Sequence, residues 1–253
     1  MPKLSYLLLI TATIFTACSK SGSDASQPQL KLSTPNTEIK YDGSTQLNVN
    51  IGSASDYTWT SSDEFIGTVD ATGKFTAKHI GGVSIRAEKE GKSANQEITV
   101  LPTVDFITEP FIEFGASKAA IKAKEKRELL IDEDGGLAYK ATSEAIRTGI
   151  FYLFDENDKM VAALIPFTES ANYAKYVAIF YAERYQILGQ DGTQFYFGEK
   201  DKKYALILDT QNDNIGFSAI YLPYPDIDKS ASTLSNHISS IQKRLSALQK
   251  ASL

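Results

Sequence analysis

Cysteine is nearly absent from this chain: among 253 residues there is one, with two histidines, one tryptophan and two methionines. No disulfide can form within the chain, so its folded parts must be held by packed cores alone. The histidines, His79 and His237, are far apart, and the cysteine has another role, so a histidine-based triad has no members. Gly-rich phosphate loops, zinc-ligand spacings and nucleophile elbows are also missing. The chain is therefore not expected to be an enzyme, and no metal or cofactor is expected. A formal charge of −5, with Lys and Arg scattered along the sequence, provides no basic field for nucleic acid. No apolar run reaches the roughly 20 residues that a membrane-spanning helix requires.

Acidic residues do cluster, in Asp132-Glu133-Asp134, in Asp155-Glu156-Asn157-Asp158, and in Asp209 with Asp213. A calcium loop needs oxygen ligands at alternate positions, glycine at the sixth and an acid at the twelfth. Asp155 and Asn157 begin that pattern, but Lys159 and Met160 break it. All three clusters fall where turns are predicted, and solvated hairpin loops account for them better than calcium or a working acid pair.

What is present is apolar and aromatic: 42% hydrophobic residues, with 13 Tyr and 13 Phe, favour β structure. The cysteine, Cys18, directly follows Leu7–Phe15 and Thr16-Ala17, with Lys3 ahead of them. A basic start, a short apolar run and small residues describe a secretory signal over residues 1–17. The arrangement resembles a bacterial lipoprotein lipobox, in which the thiol is alkylated with diacylglycerol before cleavage. Thr16, Ala17 and Cys18 match it, and Phe15 stands where the family usually carries Leu. Several acyl chains on Cys18, at about 0.8 kcal/mol per buried methylene, would anchor the protein durably to a membrane. Ser19–Gln29 is polar and Ser/Gly-rich, a flexible tether that with Cys18 makes up residues 18–29.

Residues 30–101 change to short strands of period two, over Gln46–Asn50, Tyr57–Thr60, Lys74–Ala77, Val83–Ala87 and Gln96–Val100. Asp42-Gly43, Thr72-Gly73, Gly81-Gly82 and Glu90-Gly91 separate them, which predicts a small antiparallel sandwich. Trp59, Ser61-Ser62-Asp63, Val69-Asp70, Gly73, Phe75, Ala77, Gly81, Ile85 and Ala87 resemble a bacterial Ig-like domain of group 2 (BIG2) over about 70 residues. Trp59 is read as core between two sheets rather than as a sugar platform. Gly73 and Gly81 are expected at positive φ, and Asp63 and Asp70 as turn caps.

A second domain is expected over residues 104–225, with an internal repeat. Arg127–Gly135 aligns with Arg184–Gly192 at one offset, 184 − 127 = 57, which also pairs Tyr139 with Tyr196 and Pro166 with Pro223. The repeats, about 116–168 and 170–225, each read as a helix and three strands. The helices are Ser117–Leu130 and Ser170–Tyr185. Their strands are Leu137–Ala141, Gly149–Phe154 and Met160–Phe167, then Gln194–Gly198, Lys203–Asp209 and Gly216–Tyr224. A joint antiparallel sheet of about six strands with both helices on one face follows. The fold class is thus an all-β Ig-like sandwich plus an α+β domain. On the sheet face opposite the helices, Tyr139, Tyr152, Phe195 and Tyr196 are the candidate ligand-binding residues. The competing reading is that they alternate into the helix-covered core.

In residues 229–253, Leu234, Ile238, Ile241, Leu245 and Leu248 fall on one face of an amphipathic helix. The stripe is too short for a coiled coil and can dock on the chain's own sheet or on a partner. Ig-like domains of this group resemble modules of bacterial surface adhesins, and the whole layout looks like uncharacterised lipoproteins of Bacteroidetes. These resemblances imply a lipid-anchored cell-envelope protein, at the outer membrane, that acts by adhesion to a protein or glycan. Two alternatives stand beside it. Tandem helix-plus-sheet repeats resemble the layout of proteinaceous β-lactamase inhibitors, which would make the second domain an inhibitor or a periplasmic assembly partner. The other is glycan capture beside a polysaccharide-uptake system.

Overall fold

The structure is a computed structural model that describes residues 28–212 and 216–224. Cys18, the signal, nearly all of the tether and the C-terminal amphipathic stretch lie outside the described residues.

The first domain contains β1 (Leu32–Ser33), β2 (Glu38–Lys40), β3 (Ser44–Gln46), β4 (Asn48–Val49), β5 (Thr58–Ser61), β6 (Gly67–Val69), β7 (Lys74–Ala77), β8 (Gly81–Lys89) and β9 (Lys92–Leu101). They form a four-stranded sheet, β2-β9-β8-β5, a three-stranded sheet, β3-β7-β6, and the small pair β1-β4. Alternation decides which side chains enter the sandwich. In β8, Val83, Ile85 and Ala87 point inward while Ser84, Arg86 and Glu88 do not. Val83 and Ile85 join Ile39, Leu47, Phe75, Ile98 and Val100 in one core, with Trp59 packed against it. Trp59 Nε1 donates to the Ala54 carbonyl at 2.9 Å, which satisfies the indole as it packs.

The turn chemistry is as the sequence predicts. Asp70 Oδ1 accepts from the Thr72 amide at 2.8 Å and the Lys74 amide at 3.0 Å, and Asp63 Oδ1 from the Phe65 amide at 3.1 Å. Gly73 has φ of 81°, and a Cβ there would sit 2.8 Å from both the Leu47 carbonyl oxygen and Trp59 Cζ2. Only glycine fits on either count.

The second domain follows a linker and comprises α1 (Lys118–Lys124), β10 (Leu129–Glu133), β11 (Gly136–Tyr139), β12 (Ile150–Phe154), β13 (Met160–Pro166), α2 (Ala171–Ala182), β14 (Gln186–Asp191), β15 (Gln194–Gly198), β16 (Tyr204–Asn212) and β17 (Gly216–Pro223). One eight-stranded antiparallel sheet results, in the order β10-β11-β12-β13-β17-β16-β15-β14. Two four-stranded meanders meet at β13 and β17, where Leu164 faces Ile220 and Ile165 faces Ala219.

This corrects the expected layout of a helix plus three strands in each half. Ser117 caps α1 by accepting from the Ala120 amide at 3.2 Å, but the helix stops at Lys124, where Glu125 turns extended with ψ of 129°. What was expected to be its last turn is β10. The second helix likewise ends at Ala182, and β14 begins at Gln186. Asp134-Gly135 and Asp191-Gly192 are therefore hairpin turns that pair the strand before them with the strand after. The sheet gains two edge strands and has eight strands instead of six.

Both helices pack on one face. Ile121 from α1 and Val177, Phe180 and Tyr181 from α2 share a core with Leu137, Tyr152, Ile165, Leu206 and Tyr221. The opposite face carries a second cluster, built on Ala138, Phe151, Leu153, Ala162, Leu164, Tyr196, Ile207, Ile220 and Leu222.

Candidate functional site

Three regions carry side chains whose placement goes beyond filling a core: the junction of the two domains, a buried tyrosine cluster, and the edges of the large sheet.

At the junction, the end of α2 meets the linker and the Ig-like domain. Glu183, whose side chain is fully buried, accepts from the Thr103 amide at 2.6 Å and the Val104 amide at 3.2 Å. Arg184 Nη1 pairs with Glu183 at 2.5 Å, Nη2 donates to the Val104 carbonyl at 3.1 Å, and the guanidinium lies 3.8 Å from the centre of the Phe180 ring. The Glu183 main-chain oxygen accepts from the Ile80 amide at 2.8 Å. Beside it, His79 stacks on Phe65 with ring centres 3.8 Å apart. Its Nδ1 lies 2.6 Å from the Phe65 carbonyl and its Nε2 3.2 Å from the Tyr185 carbonyl. Lys200 pairs with Asp63 and passes 5.7 Å over Phe65. The Lys200 hydrogen bond is the main reason that the Asp63 carboxyl is held below its usual range. Polar groups from both domains thus satisfy one another, which marks a fixed connection rather than a loose one.

Next to the junction, Glu109 Oε1 accepts from the hydroxyls of Tyr185 and Tyr221, the latter at 3.0 Å. The Tyr181 and Tyr221 hydroxyls lie 2.9 Å apart, and those of Tyr185 and Tyr204 3.1 Å apart. Burial pushes the Glu109 carboxyl up despite those hydroxyls, and it pushes all four phenols up as well. A parallel group sits in the first meander. Tyr152 donates to Glu125 Oε2 at 2.5 Å, and Arg127 pairs with the same oxygen at 2.7 Å. Burial raises Glu125, but the Tyr152 and Arg127 contacts outweigh it and leave the carboxyl low. These networks fasten the linker to the sheet. Arg127 Nη2 donates to the Glu109 carbonyl at 2.7 Å, and Tyr152 accepts from the Phe111 amide at 2.8 Å.

The structure separates the four aromatic candidates. Tyr139 and Tyr152 lie edge to face at 5.7 Å inside the helix-covered core. Tyr139 faces Ile150 across the strands and Leu137 faces Tyr152, so these residues share the helix side and not the opposite face expected for them. Phe195 packs against the same core. Tyr196 does lie on the opposite face, but it is only 8% exposed, and its hydroxyl donates to Gln194 Oε1 at 2.8 Å.

The acidic clusters also have internal roles. Asp155 Oδ1 accepts from the Asn157 amide at 2.9 Å and the Lys159 amide at 2.8 Å, which closes the hairpin. Asp132 pairs with Lys118 at 2.8 Å and with Lys122. Asp209 accepts from Thr193 and Gln194.

Open surface of the kind that binds is found on the sheet edges. Among the described residues, six large apolar side chains are exposed, and four of them, Leu129, Leu130, Ile187 and Leu188, lie on the edge strands β10 and β14. The other two, Phe106 and Tyr176, meet edge to face at 5.5 Å. Each edge strand carries a bulge, between Leu129 and Ile131 and between Ile187 and Gly189, which leaves Leu130 and Leu188 without a cross-strand partner. Sequence reasoning missed these residues because it placed Leu129 and Leu130 at the end of a helix and left Ile187 and Leu188 between a helix and the next strand. The signal that would have found them was the Asp-Gly pair read as a hairpin turn.

Comparison with known proteins bears on the first domain. Residues 28–100 match the family model of the bacterial Ig-like domain (group 2), so this part of the chain is such a domain. None of the curated proteins matches the chain. Among solved structures, an intimin mutant from EHEC O157:H7 is 26% identical over 29% of this chain and 46% of its own, with a TM-score of 0.26. A C-terminal fragment of intimin in complex with the translocated intimin receptor is 23% identical over 28% of this chain and 30% of its own, with a TM-score of 0.26. The C-terminal domain of TagH is 11% identical over 66% of this chain and 97% of its own, with a TM-score of 0.27. The chain thus spans less than half the length of the intimin structures it matches.

Proposed function

We propose that this is a lipid-anchored cell-envelope protein of the adhesion type, in which the Ig-like domain is the spacer and the second domain holds a protein ligand. The observation that carries the reading is the pair of apolar, bulged edge strands, β10 and β14. An edge strand presents free main-chain donors and acceptors, and an extended peptide that adds to it gains hydrogen bonds from the backbone and selectivity from side chains. Leu130 and Ile187 supply apolar contact at those edges, where soluble proteins more often place lysine or proline. Glu183, Arg184 and His79 support the spacer role, because they fix the second domain on the end of the Ig-like domain instead of letting it swing. Cys18 and the tether supply the anchor.

The test uses the full chain. A random-peptide phage library is selected on the protein and counter-selected on the Leu130→Lys/Ile187→Lys variant, while the same protein is applied to a glycan array. Edge-dependent apolar peptides and a dark array are expected. Glycan binding that survives the double substitution would replace the reading with glycan capture. For the anchor, labelled palmitate is expected to enter the wild type and not Cys18→Ser, and label in the variant would remove the lipobox.

A further inference from the structure

We infer that His79 is a proton-operated clasp between the two domains, closed in acid and released as the pH rises. Both of its ring nitrogens face carbonyl oxygens. Nδ1 lies 2.6 Å from the Phe65 carbonyl in its own domain, and Nε2 lies 3.2 Å from the Tyr185 carbonyl in the other. A carbonyl only accepts, whereas a neutral imidazole carries one N–H and one lone pair. The neutral ring therefore satisfies one of the two contacts and turns its lone pair towards the other oxygen. Only the imidazolium donates to both. The parallel stack on Phe65, with 7° between the ring planes, favours the same form, because the face of an aromatic ring attracts a cation.

The distances decide which bond the second proton controls. The shorter contact keeps the remaining proton, so the neutral ring stays bonded to Phe65 and gives up the bond that crosses to Tyr185. The His79 amide meanwhile donates to the Ile66 carbonyl at 3.1 Å and holds the residue in place. The charged neighbours do not dictate the state of the ring. Asp63 is paired with Lys200, which reaches over Phe65 from the second domain, and Glu183 is paired with Arg184 at the end of α2. Glu109 accepts from the Tyr185 hydroxyl. Tyr41, whose phenol is pushed up by burial and then by Asp42 and Glu183, stays neutral. Glu64 and Lys78, next to Phe65 and His79 in the chain, are exposed. With acids and bases matched in pairs, the two carbonyls select the doubly protonated ring. Histidine changes charge between about pH 5 and 8, so the clasp opens in that interval. The Lys200–Asp63 link is lost only in stronger acid, which leaves the junction tightest in mild acid.

Hydrogen exchange on the full chain tests the clasp. The Ile80 amide donates across the junction to the Glu183 carbonyl at 2.8 Å and reads its opening. Its protection is taken relative to the Leu47 amide, bonded to the Gly73 carbonyl within the Ig-like domain, so that the pH dependence of exchange itself cancels. Relative protection is expected to fall about tenfold from about pH 5 to about pH 8, the weight of one hydrogen bond to a charged group. His79→Gln is expected to abolish that fall. Any contribution of Glu109 is common to both chains and drops out of the comparison. A wild type with no fall, or an equal fall in His79→Gln, would overturn the clasp. Should His79→Gln fail to fold, ring nitrogen NMR leaves the junction untouched, because His79 is the one histidine in a His237→Gln chain. On deprotonation the remaining proton is expected on Nδ1. A neutral ring that keeps it on Nε2 would also overturn the clasp, since the bond to Tyr185 would then survive.

Discussion

The Glu183 carboxylate holds the Thr103 amide at 2.6 Å although 80 residues separate them, and through this bond the end of α2 grips the start of the linker. Glu183→Ala strands two amide protons and leaves the Arg184 guanidinium, itself only 15% exposed, without its carboxylate. Breaking a buried pair on one side costs about 3–5 kcal/mol. Calorimetry is expected to show one shared transition for the wild type and two separated transitions for the variant. A single, merely shifted transition would count against a junction held by Glu183.

A second link, between Lys200 and Asp63, gives the junction an acid-sensitive part. Lys200 lowers the Asp63 carboxyl in the folded state. A lowered carboxyl contributes stability that is present above its unfolded value of about 3.9 and is lost as pH falls through the lower folded value. The difference in stability between wild type and Lys200→Ala is therefore expected to be constant near neutrality and to shrink towards zero below about pH 4. Urea unfolding at a series of pH values measures it.

Glu109 acts in the opposite direction. Burial raises its carboxyl, so its folded form contributes stability that is full below the unfolded value of about 4.3 and is lost as pH rises through the raised value. Glu109→Gln keeps an oxygen for Tyr185 and Tyr221 but carries no charge. The variant is expected to melt higher than wild type at pH 7 and level with it at about pH 4. Thermal melts at the two pH values decide the point.

In the Ig-like domain, Gly73→Ala forces a left-handed residue to carry a Cβ against the Leu47 carbonyl and the Trp59 ring. The expected cost is about 1–3 kcal/mol, the range for backbone strain at such positions. Gly82→Ala is the control, because a Cβ there meets nothing within 4 Å. Chemical unfolding of the two variants should separate them clearly.

What the sequence disclosed and what it hid divide by range. Trp59, Gly73, Asp63 and Asp70 were readable because their work is local: the capping partners lie two to four residues away. β10 and β14 were not readable, because Leu129-Leu130-Ile131 and Ile187-Leu188 do not alternate. The bulge that disturbs the alternation is itself a product of pairing with β11 and β15. Tyr139 and Tyr152 were recognised as a pair of aromatic strand residues, but which face they take depends on the phase of the whole sheet. His79 gave no sign of its role, since its second ring nitrogen finds the Tyr185 carbonyl 106 residues onward.

In the Ig-like domain, β2 runs parallel to β9, with Glu38, Ile39 and Lys40 beside Thr99, Val100 and Leu101. The chain enters β2 from the N-terminal side and leaves β9 towards the second domain, so tension applied across the two ends of the Ig-like domain slides the two strands lengthwise past each other. Their hydrogen bonds, with the bond from the Thr99 amide to the Thr37 carbonyl at 2.8 Å, then share the load at once instead of opening one after another. The Ig-like domain is thereby built to stay folded under tension along its own axis.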